Sequence, residues 1–163
     1  MLREIFEKIL GRVKEETLGY YGERLVSLCV FGSVARGTVT PYSDIDLLIV
    51  AKDLPTGRLR RVEEFGLVEE RLESTLGEAR RAGVETCLSP FLKTPDEVRA
   101  GSWLFLDLVE DARILYDQDH FLSNYLENLK TRLVQMGAKR VWDGEVWHWV
   151  LTPQYNPKQE IEL

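Results

Sequence analysis

The stretch Gly32–Val50, GSVARGTVTPYSDIDLLIV, sets a glycine-serine turn ahead of two aspartates one residue apart at the front of an apolar run. Successive side chains on a strand point to opposite faces, so a strand here puts Asp44 and Asp46 on one face and Ile45, Leu47 and Ile49 on the other. Two carboxylates placed that close repel each other unless a cation lies between them, and hard oxygen donors of this kind suit Mg²⁺. Alone, Asp-x-Asp is equally compatible with a turn cap at Asp44 beside Ser43 and an arginine partner for Asp46. Before the pair, Gly32 lets backbone approach a ligand, Ser33 offers a hydroxyl, and VARG opens a short helix whose first amides and Arg36 could meet phosphate oxygens. No Gly-Lys-Ser/Thr follows, so this is not a P-loop.

Outward from this centre, RLVSLCVF predicts a strand over Leu25–Phe31 and DIDLLIV a second buried strand. Leu2, Ile5, Phe6, Ile9, Leu10 and Val13 trace one helix face that breaks at Gly19, and Leu59 through Ala79 mark a long helix ending at Gly83. Arg58, Arg60, Arg61, Arg80 and Arg81 read as the solvated side of that helix. VETCLS alternates as a third strand. TPDE carries a capping box on Thr94 and Glu97, WLFLDLVEDARILY leads from a helix into a short strand at Ile114–Tyr116, and Phe121–Leu133 marks a further helix ending near Gly137. In KRVWDGEVWHWVL, β-formers flank Asp143-Gly144 and predict a hairpin that packs its indoles on the domain. The fold class expected is α+β (α/β), a small mixed sheet flanked by helices, with residues 1–117 as the main domain and 118–163 as a C-terminal helix and hairpin appendage packed on it.

The 163 residues are 44% hydrophobic, enough for one domain with a substantial core. A net charge of -6 excludes a protein that coats nucleic acid through bulk phosphate contacts. Cys29 and Cys87 sit in apolar runs and read as buried, reduced thiols, and no apolar run is long enough to span a membrane. A cytoplasmic protein is expected.

GSVARG followed by SDIDLLIV resembles the signature of the nucleotidyltransferase superfamily that includes DNA polymerase beta, in particular its minimal bacterial and archaeal members. LSPFLKTPDEV and FLDLVEDARILYD look like segments of archaeal members, whereas the aromatic tail is outside the general fold. The resemblance implies a nucleotidyltransferase fold. It also implies nucleotide binding at Gly32, Ser33, Arg36 and Ser43, and a carboxylate trio, Asp44, Asp46 and Glu85, holding two Mg²⁺ ions. Its activity would be transfer of a nucleoside monophosphate, AMP foremost, from a nucleoside triphosphate such as ATP to an acceptor hydroxyl. Glu85 enters as the sole acid of VETCLSP. Without it, a non-catalytic nucleotide- or partner-binding module of antitoxin type becomes the alternative. Relatives of this size imply a separately encoded partner of the HEPN type, and a homo-oligomer is compatible with the same pattern. Arg113 and His120 meet the HEPN spacing formally, but ARILYDQDH reads as strand and turn rather than bundle helix.

Overall fold

The computed structural model describes residues 1–151. The last part of the expected 118–163 appendage, residues 152–163, therefore lies outside the described residues. Helix α1 (Leu2–Tyr21) leads into β1 (Leu25–Phe31), short helix α2 (Gly32–Arg36), β2 (Ile45–Ala51) and long α3 (Arg58–Arg81). Strand β3 (Leu88–Lys93), α4 (Pro95–Ala100), α5 (Leu104–Asp111), β4 (Arg113–Asp117), α6 (Phe121–Gln135) and the hairpin β5 (Lys139–Asp143) and β6 (Val146–Val150) follow. One four-stranded sheet runs β3-β2-β1-β4, with β1 antiparallel to both β2 and β4 and β3 parallel to β2. This is the mixed α+β architecture expected.

Strand parity divides the core into two layers. Leu28, Val30, Leu47 and Ile49 face α1 and α3, packing on Phe6, Ile9, Val13, Phe65, Val68 and Leu72. Cys29, Phe31, Leu48 and Val50 face the other way, onto Val98 of α4, Phe105 and Leu106 of α5 and Leu122 and Leu126 of α6. Because both faces are covered, β1 and β2 are apolar without alternation, which is why they read so clearly in sequence. Asp46 shares the parity of Leu48 and Val50, so its side chain lies on the layer that carries α5.

Several boundaries differ from expectation. Helix α1 continues through Gly19 to Tyr21 because an exposed helical glycine costs only about 1 kcal/mol relative to alanine, which burial of Thr17 and Tyr21 outweighs. The third strand begins at Leu88 rather than at Val84, since Thr86 donates its hydroxyl to the Ser43 carbonyl at 2.7 Å and Glu85 its amide to the Pro41 carbonyl at 2.8 Å, holding the chain to a loop. The Ile45 amide donates to the Cys87 carbonyl at 2.9 Å, so the backbones of Leu88, Pro90 and Leu92 point to the free edge. Pro90 has no amide to offer there, and Arg61 caps the Leu92 carbonyl at 3.2 Å, which blunts the edge against further pairing. Arg61 is thus not on a solvated face: its guanidinium also grips Glu97 at 2.7 and 2.9 Å, and Glu97 completes the predicted capping box with Thr94. In the hairpin, Asp143 pairs with Val146, so the turn residues are Gly144 and Glu145, one position later than the Asp-Gly signal. Gly144, at φ 65°, supplies the first central position of a type II′ turn.

Asp117 ties three elements together. It accepts from the fully buried Ser27 hydroxyl of β1 at 2.7 Å, from the Leu122 and Ser123 amides at 2.8 and 2.9 Å, and from the Ser123 hydroxyl at 2.8 Å. Burial pushes its pKa up, but these four bonds outweigh burial and leave it lowered. Stability from a lowered carboxylate is present above the unfolded value near 4 and is lost as pH falls through the folded value. Asp117→Asn is accordingly expected to lose ~1 to 3 kcal/mol at pH 7, several degrees in Tm. In thermal melts taken as a pH series, the gap to the parent should close below about pH 4.

Candidate active site

The site starts where β1 ends. Phe31 pairs with Asp46 across the antiparallel ladder, and at Gly32 the chain turns with φ 71° into α2. A Cβ built on Gly32 would collide with Asp46 Oδ2, so glycine is required here both by the backbone angle and by the approach of the main chain to a carboxylate. Val34 anchors α2 in the core, and Gly37, at φ 74°, ends the helix in the left-handed conformation. Thr38 donates its amide to the Ser33 carbonyl at 3.0 Å.

The chain then returns to β2 through a loop fastened at Ser43. The Ser43 hydroxyl accepts from the Thr40 amide at 2.8 Å while its carbonyl holds Thr86, so Ser43 shapes the loop that delivers the aspartates. Asp44 is exposed and accepts from the Cys87 thiol at 2.9 Å. Asp46 is half-buried; burial raises its pKa, Asp44 adds to the rise, and the Ser89 hydroxyl and the Arg36 charge oppose it. Hydrogen bonding to Asp44, reinforced by burial and by the charges of Glu69 and Asp46, pushes the Cys87 thiol up to about 11. Contrary to the sequence expectation this thiol is exposed, because Cys87 lies on the loop just before β3, and it stays protonated at neutral pH. Buried Cys29 is pushed up to about 12 by burial.

Among the described residues no three His, Cys, Asp or Glu side chains gather closely enough to hold a metal ion. Asp46 is brought against the Gly32 turn, within reach of the charges of Asp44 and Arg36. Glu85 is exposed on the loop before β3, and the β3 position paired with Asp46 is Ser89. Besides Asp44 and Asp46, the acid whose charge reaches Cys87 is Glu69 of α3, half-buried and raised in pKa by burial, which carried no motif signal. The Asp pair nevertheless fits a cation: its second member is an ionisable carboxylate destabilised by burial and by its neighbour, and both offer hard oxygens.

Arg36 has company that no local pattern announced. It donates to Asp111 Oδ2 at 3.0 Å, and its guanidinium lies 4.9 Å from the Trp147 ring centre. Trp147 and Trp149 both donate their indole N–H to Asp107 Oδ1, at 2.6 and 3.1 Å, so the hairpin seats these two indoles on α5, while Trp142 stays exposed. His120 is exposed at the start of α6, where the chain is turn rather than bundle helix.

Two substitutions separate these contributions. A carboxylate with a raised pKa stabilises the fold fully below its unfolded value near 4, and that contribution is lost as pH rises through the folded value. Asp46→Asn should therefore melt higher than the metal-free parent at pH 7, with the advantage gone by about pH 4, as read by calorimetry across pH. Gly32→Ala should melt lower at both pH values, by at least ~1 kcal/mol, since its strain does not titrate.

Residues 7–116 match the model of the nucleotidyltransferase domain family. The "Putative protein adenylyltransferase" of Methanocaldococcus jannaschii is 35% identical over 132 residues, covering 80% of this chain and 82% of that protein. An aminoglycoside nucleotidyltransferase (4′) of Staphylococcus aureus is 42% identical over 50 residues, 31% of this chain and 20% of that enzyme. A solved toxin-antitoxin structure with AMP-PNP aligns at 18% identity and a TM-score of 0.44, covering 84% of this chain and 94% of that one. No helix among the described residues is long and apolar enough to cross a membrane. The chain belongs to the nucleotidyltransferase domain family and is an enzyme of the transferase class.

Proposed function

We propose that the protein moves AMP from ATP to a hydroxyl group of a protein acceptor with the help of Mg²⁺. The observation that carries this reading is the meeting of the Gly32 turn with Asp46: the backbone that would cradle phosphates passes so close to the carboxylate that would hold their metal that a Cβ there would collide with it. Likeness to a relative described as a protein adenylyltransferase, over four-fifths of both chains, supports AMP as the group and protein as the acceptor.

In this reading the acceptor oxygen attacks the α-phosphorus and loses its hydroxyl proton to solvent, a new P–O bond forms, the bond to the β-phosphate breaks, and pyrophosphate leaves. Bound Mg²⁺ supplies charge neutralisation on the phosphates and on the departing pyrophosphate. Asp44 and Asp46 hold the ion. Ser33 and the turn amides orient the β and γ phosphates, Arg36 meets a phosphate oxygen, and Ser43 acts by holding the loop rather than through its occupied hydroxyl. We place Glu85 outside the reacting group, and the acid nearest the Cys87 side of the pair is Glu69. Among the described residues no third acid stands close enough to Asp44 and Asp46 to complete a metal-holding group of three.

ATP labelled at the α-phosphate, incubated with Mg²⁺ and a proteome of hydroxyl-bearing acceptors, should label protein with release of one pyrophosphate per AMP. Asp44→Asn and Asp46→Asn should each reduce labelling by roughly 100-fold or more, while Glu85→Gln stays within about threefold of the parent. Label arriving from the γ-phosphate instead would make the protein a kinase and overturn the reading.

Metal binding has a readout of its own. A thiol near 11 is alkylated about 100-fold more slowly than a free one at neutral pH, so Cys87 should resist iodoacetamide. Millimolar Mg²⁺ or Mn²⁺ should withdraw Asp44 from the thiol and speed its alkylation by roughly tenfold, with Asp44→Asn fast in either condition. An alkylation rate indifferent to divalent ions would count against metal at Asp44.

A further inference from the structure

Asp111, at the C-terminal end of α5, is held by two guanidiniums that come from opposite ends of the chain. Its side chain is only 5% exposed. Arg36, from the turn before β2, makes one bond to Oδ2 at 3.0 Å. Arg140, from β5, makes two, to Oδ2 at 2.9 Å and to Oδ1 at 3.3 Å. Both guanidiniums also lie over the Trp147 ring, at 4.9 and 5.3 Å from its centre, and Arg140 lies 5.1 Å from the Trp142 ring. Trp147 is fixed in turn by Asp107, one helical turn before Asp111 on the same face of α5.

The asymmetry of these bonds has a consequence for the site. A nearly buried carboxylate left without a partner is costly, so a single arginine bound to Asp111 would be locked there. With Arg140 already supplying the fork-like pair, Arg36 can leave without stranding the carboxylate. Arg36 is also the arginine whose charge reaches Asp46.

We propose that Arg140 is a standby counter-ion that keeps Arg36 exchangeable. When a nucleotide arrives, Arg36 gives up its one bond to Asp111 and takes a phosphate oxygen, while Arg140 holds Asp111 alone. The inference rests on the nucleotide reading of Arg36 given above and deepens it: Asp111 and Arg140 are positioning residues, and the β5–β6 hairpin belongs to the nucleotide-binding apparatus rather than being an ornament on it. No covalent step is involved.

Equilibrium binding of Mg-ATP to the full chain, measured by calorimetry alongside thermal melts, tests this. Arg140→Gln leaves Arg36 as the sole partner of Asp111 and should weaken ATP binding about tenfold, as expected for the loss of one charge-assisted bond. Asp111→Asn should bind ATP at least as tightly as the parent even though it melts lower. The double variant Arg140→Gln with Asp111→Asn should recover binding to within about threefold of the parent, and Arg36→Gln should weaken it in every background. A purely structural role predicts the opposite: Asp111→Asn alone would bind more weakly, and the double variant more weakly still. That pattern, or an Arg140→Gln protein that folds and binds ATP as the parent does, would overturn the inference while leaving the nucleotide reading intact. A folded parent that binds no Mg-ATP sinks both.

Discussion

The turn after β1 passes so near Asp46 that a Cβ at Gly32 would collide with its carboxylate. Much else follows from that contact. It needs β1 and β2 antiparallel and in the register that sets Phe31 opposite Asp46, and it needs the positive φ that only glycine adopts cheaply. The turn then enters α2 directly, and the loop back to β2 must be tied down, which Ser43, Thr40 and Thr86 do with side-chain bonds. A rigid apolar sheet thereby carries two anionic groups at its rim without burying either completely.

The two faces of the sheet divide the labour. The layer of α1 and α3 is almost wholly apolar where it meets β1 and β2, and it serves as scaffold. The layer of α5 and α6 holds the polar connections: Asp117 joins β1, β4 and α6, while Asp107 and Asp111 anchor the hairpin and Arg36. Asp46 lies on this second layer by strand parity alone. A change of one residue in the β2 register would have sent it to the scaffold side.

Electrostatics explain why the site is poised rather than relaxed. Asp46 is kept partly out of water beside Asp44, which favours whatever cation can come between them, and the neighbouring thiol of Cys87 answers the charge with a hydrogen bond in the meantime. Where the family resemblance implied a third acid on the next strand, β3 presents Ser89 opposite Asp46. Among the acids of the helices, Glu69 of α3 is the one whose charge reaches Cys87.

Sequence alone determined strands β1 and β2, the long helices and the capping box at Thr94, because each follows from periodicity or from chemistry within a few residues. It also supplied the family, since the glycine-serine turn and the aspartates belong to one continuous stretch. Only the tertiary structure decided that Glu85 stays on a loop, that Ser43 spends its hydroxyl on Thr40, and that Arg61 leaves the solvent for Glu97 and the edge of β3. Likewise, Arg36 meets Asp111 across 75 residues and Arg140 meets the same carboxylate across 29. Such partners share no period and no motif, because what brings them together is the packing of α5 and the hairpin against one face of the sheet.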